Sequence, residues 1–150
     1  MNITSSGIDA NGQLLSRYTC DGDNVNPPLT FSQIPEGTES LVLIMEDVDA
    51  PHGIFTHWIV YDMSPATLQI VEKSMPPTGK AGINDFGNVG YGGACPPSGQ
   101  HRYYFRLYAL DDTLDLPAGA SKHEILSAME AKTVLEQAEI VGTYAKQHIL

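Results

Sequence analysis

Leu41-Val42-Leu43-Ile44-Met45 is the longest uninterrupted apolar run in the chain, set between Gly37 and Pro51. Its shortness and its branched side chains suit a strand buried on both faces, so it is expected to be the central strand of a sheet. Downstream, His57-Trp58-Ile59-Val60-Tyr61 and Tyr103-Tyr104-Phe105-Arg106-Leu107-Tyr108-Ala109-Leu110 are rich in aromatic and branched residues, and each gives way to an Asp-containing turn. Both read as strands with pleated, half-buried surfaces. Ser121 stands three residues before Glu124, ahead of Ile125, Leu126 and Met129 at one-turn spacing, and this capping-box pattern predicts a helix over 121–131. From Val134 to Thr143 the apolar period is ambiguous and could prolong the helix; a final strand is the expectation.

Composition narrows the function. The 150 residues suit one domain, expected over 1–150. With 18 acidic against 8 basic side chains, the formal charge of −10 opposes attraction to nucleic acid or to anionic lipid. The apolar run from Leu41 falls far short of the roughly 20 residues of a membrane-spanning helix, so no integral membrane association is expected. The N-terminus carries neither a basic lead nor an apolar block, which makes a cytoplasmic location the expectation. Cys20 and Cys95 lack zinc-ligand spacing and leave two readings open, free thiols or one long-range bridge.

Two segments carry chemistry. The first, Glu46-Asp47-Val48-Asp49-Ala50-Pro51-His52 with His57 beyond it, brings carboxylates and imidazoles to the exit of the buried strand. One of Asp47 and Asp49 is expected to serve the turn rather than a pocket. The spacing of His52 and His57 matches no zinc pattern, so no metal site is expected. The second, Gly90-Tyr91-Gly92-Gly93-Ala94-Cys95-Pro96-Pro97-Ser98-Gly99-Gln100-His101-Arg102-Tyr103, lies in a zone that holds seven of the fourteen glycines, from Gly79 to Gly99. Successive amides in such a loop can cradle an anion, since N–H groups carry partial positive charge and no Cβ blocks approach. His101 would face that anion, while Arg102 points the other way and is expected to pair with Asp47 or Asp49. No Walker ending, dinucleotide fingerprint or Gly-x-Ser-x-Gly nucleophile elbow is present, and no cofactor is expected.

Taken in order, Asp21-Gly22-Asp23-Asn24-Val25-Asn26-Pro27-Pro28-Leu29, Asp47-Val48-Asp49-Ala50-Pro51 with His57-Trp58, Gly82-Ile83-Asn84-Asp85-Phe86-Gly87, and Gly92-Gly93-Ala94-Cys95-Pro96-Pro97-Ser98-Gly99-Gln100-His101-Arg102-Tyr103 resemble the phosphatidylethanolamine-binding protein family, also called the Raf kinase inhibitor protein family. The likeness runs over roughly residues 7–145 and is closest in kind to the bacterial and archaeal branch. It implies a mainly β fold, an antiparallel β-sandwich with a large central sheet, a second sheet packed on it and few peripheral helices. It also implies a small cavity for phosphate-like groups, including phosphorylated head groups, and a cis peptide at Ala50-Pro51.

Carried across position by position, Asp47, Pro51 and His57 match the family's Asp-Pro-Asp-x-Pro and His positions. Gly93, Pro96, His101 and Tyr103 match its Gly-x-Gly-Pro-Pro and His-Arg-Tyr positions. Cys95 stands where the family has its second glycine, and Val48 where it has a proline between the aspartates. The resemblance therefore implies a ligand pocket of Asp47, Pro51, His57, Gly93, Cys95, Pro96, His101 and Tyr103, supported by Asp49 and Arg102. The expected function is non-catalytic capture of a small anionic or phosphorylated ligand. Two other classes stand beside it: an inhibitor of a protease or of a kinase pathway acting through the pocket rim, and a weak hydrolase using Asp47 and His57. A homodimer and a monomer are both left open.

Overall fold

The computed structural model describes residues 1–147. In chain order the elements are β1 (Asn2–Thr4), a 3₁₀ turn (Ser16–Tyr18), β2 (Leu29–Ser32), β3 (Ser40–Asp47), β4 (Phe55–Met63), β5 (Gln69–Ile70), β6 (Lys80–Ala81), β7 (Gln100–Leu110), α1 (Lys122–Glu130) and β8 (Val134–Ala145). They form two antiparallel sheets, a small one ordered β1-β2-β5 and a large one ordered β6-β4-β3-β7-β8. The mainly β, two-sheet architecture agrees with the sequence reading, and the apolar run from Leu41 does occupy the centre of the large sheet.

The run reads as continuous because β3 is covered on both sides. Its side chains alternate between faces. Leu41, Leu43 and Met45 join Trp58, Val60, Phe105 and Leu107 against Ile3, Leu29, Phe31 and Ile70 of the small sheet. Val42 and Ile44 join Ile59, Tyr61 and Leu110 on the opposite face, beneath Ile125 and Met129 of α1. That helix begins where expected: Ser121 is its N-cap, the Ser121 hydroxyl accepts from the Glu124 amide and the Glu124 carboxylate accepts from the Ser121 amide. The ambiguous tail resolves as a strand, with β8 paired to β7 from Gln100↔Ala145 to Leu110↔Val134.

Two outcomes concern covalent geometry. Cys20 and Cys95 are joined by a disulfide, so the bridged alternative holds. No peptide bond among the described residues is cis, which corrects the expectation of a cis Ala50-Pro51 bond. An X–Pro bond favours trans by roughly 0.5–1 kcal/mol. The turn after β3 closes by other means, the Gly53 amide donating to the Ala50 carbonyl at 3.2 Å with Gly53 at φ 107°.

Candidate functional site

The site forms at the end of the large sheet where β3, β4 and β7 stop together, and one irregularity in the pairing builds it. Met45 opposes Trp58 and Glu46 opposes Thr56, so His57 has no partner of its own and forms a β-bulge. Without the extra residue, His57 would share the helix-covered face with Ile59 and Tyr61. A bulge re-aims a side chain by shifting the pleat. Here it brings Phe55 and His57 to the same face as Asp47, His101 and Tyr103. The His57 ring meets those of Phe55, Phe86 and Tyr103 at centroid distances of 4.9, 5.3 and 5.4 Å.

These residues surround a cavity of about 250 Å³. Its polar groups come from Asp47, His52, His57, His101 and Tyr103, and its apolar walls from Ala50, Pro51, Phe55, Phe86, Cys95 and Pro97. Asp47, His57 and His101 are only 4, 3 and 7% exposed. The His101 Nδ1 lies 2.6 Å from the Asp47 Oδ2, and a second Asp47 oxygen accepts from the Asp49 amide at 2.8 Å. The carboxylate thus both orients the His101 ring and closes the turn. His57 is fixed by its Nδ1, 2.7 Å from the Gly92 carbonyl, while the Gly92 amide donates back to the His57 carbonyl at 3.0 Å. Burial pushes the His57 imidazole below its ordinary pKa, with the Gly92 carbonyl and the Asp47 carboxylate pulling the other way. In the neutral ring, Nδ1–H donates to Gly92 and Nε2 keeps a free lone pair.

Tyr103 is the other unusual group. Its hydroxyl is buried and makes no well-formed hydrogen bond among the described residues. Burial first, then the nearby Asp47 carboxylate, pushes its phenol well above the usual range. Such an unpaired buried hydroxyl is costly and calls for a partner. The cavity therefore presents a donor, two imidazole rings and one carboxylate in a mostly apolar shell.

Six of the eight expected pocket residues line the cavity: Asp47, Pro51, His57, Cys95, His101 and Tyr103. Gly93 and Pro96 do not. The Gly93 amide is already used, donating to the Asn24 Oδ1 at 2.9 Å, and a Cβ there would sit 2.7 Å from the Tyr18 carbonyl. Gly93 is a glycine because segments 18–24 and 93–95 approach this closely, not because its amide meets an anion. The Thr19↔Ala94 bridge, the Cys20 amide on the Ala94 carbonyl and the disulfide stitch the same two segments together. Pro96 is buried beside this seam, and Pro97 supplies the wall in its place.

Of the two carboxylates considered as partners for Arg102, the structure pairs it with Asp49. β3 ends at Asp47, so Asp49 leaves the pleat that would otherwise point residues two apart to one face. Its two oxygens accept from the Arg102 Nη2 and Nε at 2.9 and 3.0 Å, and one also accepts from the Arg102 amide at 2.8 Å. The guanidinium holds the Asp49 carboxyl down to about 2. The residues that sequence reasoning missed are Phe55 and Phe86, which box in His57, and Ala50, His52 and Pro97. Gly92 carried a signal for Phe86: a Cβ there would lie 2.4 Å from that ring, so the glycine marks where the ring lies against the backbone.

Among the described residues no group of three or more His, Cys, Asp or Glu side chains is arranged to hold a metal ion. No helix among the described residues is long and apolar enough to cross a membrane.

With this geometry in view, the likenesses to known proteins are specific. The family model of phosphatidylethanolamine-binding proteins matches residues 4–145. UPF0098 proteins of Methanothermobacter thermautotrophicus and Aquifex aeolicus are 45 and 47% identical, each over 97% of this chain and over 99 and 89% of their own lengths. Among solved structures, a phosphatidylethanolamine-binding protein homologue of Chlamydia trachomatis superposes with a TM-score of 0.90 at 38% identity, covering 97% of both chains. E. coli YbcL, described as a member of the mammalian family, gives 0.87 at 30% identity over 97% of this chain and 98% of its own. The chain belongs to the phosphatidylethanolamine-binding protein family.

Proposed function

We propose that the cavity beside β3, β4 and β7 binds a small phosphate-like or phosphorylated group without transforming it. The observation that carries the reading is the buried, unpartnered Tyr103 hydroxyl in a cavity shared with His57, His101 and Asp47. A phosphate oxygen would accept from that hydroxyl, giving a partner to a donor that the protein itself leaves unpaired, and a protonated ligand oxygen would donate to the His57 Nε2. The volume lies just below the roughly 300–1,000 Å³ of sites for drug-sized ligands, which suits a head group rather than a whole lipid. The family's name, and that of the Chlamydia trachomatis homologue, refer to phosphatidylethanolamine. This supports a phosphorylated head group as the class to try first.

A non-catalytic role is supported by the make-up of the walls. Among the described residues, no serine or threonine lines the cavity, and the cysteine that does, Cys95, is tied up in the disulfide. Titration with inorganic phosphate and with phosphorylethanolamine tests the proposal. Saturable shifts of the His57 and His101 ring resonances, with a change in emission of the single tryptophan, Trp58, next to His57, are expected. Rings that stay unmoved at millimolar ligand refute it.

A further inference from the structure

The charges around the cavity decide which protonation state of a phosphate-like group it can accept. The chain has 8 lysines and arginines, and none of them lines the cavity. β3 contributes the Asp47 carboxylate, β4 His57, β7 His101 and Tyr103, and the turn after β3 His52. Behind His57, Asp85 adds a second carboxylate, accepting from the Thr56 amide at 2.7 Å. Arg102, adjacent in sequence to His101, projects from the other side of β7 and is held by both oxygens of Asp49. His57 is buried and shifted toward its neutral form. His101 shares its Nδ1 with Asp47 at 2.6 Å, so any charge on that ring is offset by its own partner.

A second negative charge on a ligand would therefore face Asp47 with no fixed cation to offset it, at short range and away from bulk water, where like charges repel most. Resting on the anion-site reading above, we infer that the cavity selects the singly charged form of a phosphate-like group, and that a phosphate monoester enters only together with a proton taken from solution. The protonated P–OH then donates toward the Asp47 carboxylate, while the remaining anionic oxygen accepts from the Tyr103 hydroxyl. The site so built prefers diesters and protonated monoesters to free dianions.

Two probes separate this from the parent reading. Dimethyl phosphate stays a monoanion throughout the neutral range, whereas a monoester such as methyl phosphate loses its second proton near pH 6. Both are titrated into the unmodified protein at pH 5.5 and pH 8 by calorimetry, in two buffers of different ionisation enthalpy. The ratio of the methyl phosphate Kd to the dimethyl phosphate Kd should rise by roughly 75-fold between the two pH values, since the monoanion fraction of a monoester with a second pKa near 6 falls that far. At pH 8 methyl phosphate should take up about one proton more than dimethyl phosphate. Protonation of the protein's own histidines affects both probes and cancels in these comparisons. Asp47→Asn should flatten the ratio, but the wild-type measurement stands without it. If both probes bind with a ratio that does not change with pH and with equal proton uptake, the inference is overturned and the anion site survives. If neither binds at either pH, the anion site itself fails.

Discussion

Tyr103 and His57 are where stability and binding pull apart. The Tyr103 hydroxyl is buried without a partner, so it weakens the free protein by the desolvation it suffers. Tyr103→Phe is therefore expected to leave the urea midpoint unchanged or raise it, while weakening phosphate about tenfold, the equivalent of one hydrogen bond of roughly 1.4 kcal/mol. A destabilised variant with unchanged affinity would contradict the role given to this hydroxyl. For His57 the sign follows from its lowered pKa. The folded protein binds fewer protons than the unfolded chain, whose imidazole titrates near 6.5. Its contribution to stability is complete above that value and is lost as the pH falls through it toward the folded pKa. Urea midpoints should fall from pH 7 to pH 5, and His57→Asn should make that slope shallower. Asp49 titrates at about 2 and cannot produce a slope in this window. At this scale the sequence disclosed the acid and the imidazoles, because Asp and His beside a buried strand are conspicuous. It did not disclose that the Gly93 amide is spent on Asn24, because that contact joins residues 69 apart in the chain.

Elements with a local cause were legible, and those with a distant cause were not. The helix follows from its own capping box, so Ser121→Ala should cost about 1 kcal/mol in urea unfolding. β3 follows from an apolar run that only a strand covered on both faces would need. β5 and β6 are two-residue strands, too short to show any period, and exist because β2 and β4 offer edges to pair with. The bulge at His57 was hidden in the same way, since it arises from the pairing of β4 with β3 and not from a local glycine. Gly92 is the element's other constraint. Its backbone is held by His57 through both amide and carbonyl and cannot retreat. A Cβ in Gly92→Ala would press 2.4 Å from the half-exposed Phe86 ring, which can swing, whereas one in Gly93→Ala would meet the fixed Tyr18 carbonyl at 2.7 Å. Both should destabilise within the roughly 1–3 kcal/mol range of overpacking, Gly93→Ala the more. Only Gly92→Ala should also change phosphate affinity, because Phe86 is a cavity wall and Asn24 is not. Equal binding losses in the two variants would mean that the 18–24 segment acts on the ligand directly.

For the molecule as a whole, the large sheet sets β3, β4 and β7 side by side, but their ends alone do not close the cavity. Its far wall, Cys95 and Pro97, belongs to the long connection before β7, and the Cys20–Cys95 bridge ties that connection to the segment ahead of β2. The bridged residues are 75 apart in sequence. In the chain-entropy account, closing a loop of this length stabilises the folded state by about 4 kcal/mol, because reduction restores freedom mainly to the unfolded chain. Disulfides persist in oxidising compartments and in the cytosol of hyperthermophiles, so the bridge and a cytoplasmic location agree only in the second setting. The double substitution Cys20→Ser/Cys95→Ser should lower the unfolding free energy by an amount approaching that figure, and dithiothreitol should lower the wild type equally. Its effect on the site should be smaller than its effect on stability. The Cys20 amide on Ala94, the Gly93 amide on Asn24 and the Tyr91 hydroxyl on the Tyr18 carbonyl hold the same seam without sulfur. Phosphate titrations of the reduced and oxidised protein, run well below the unfolding midpoint, should thus give dissociation constants within a few-fold of each other. A loss of binding on reduction, with the circular dichroism spectrum intact, would show that the covalent tie and not the hydrogen-bonded seam holds the far wall in place.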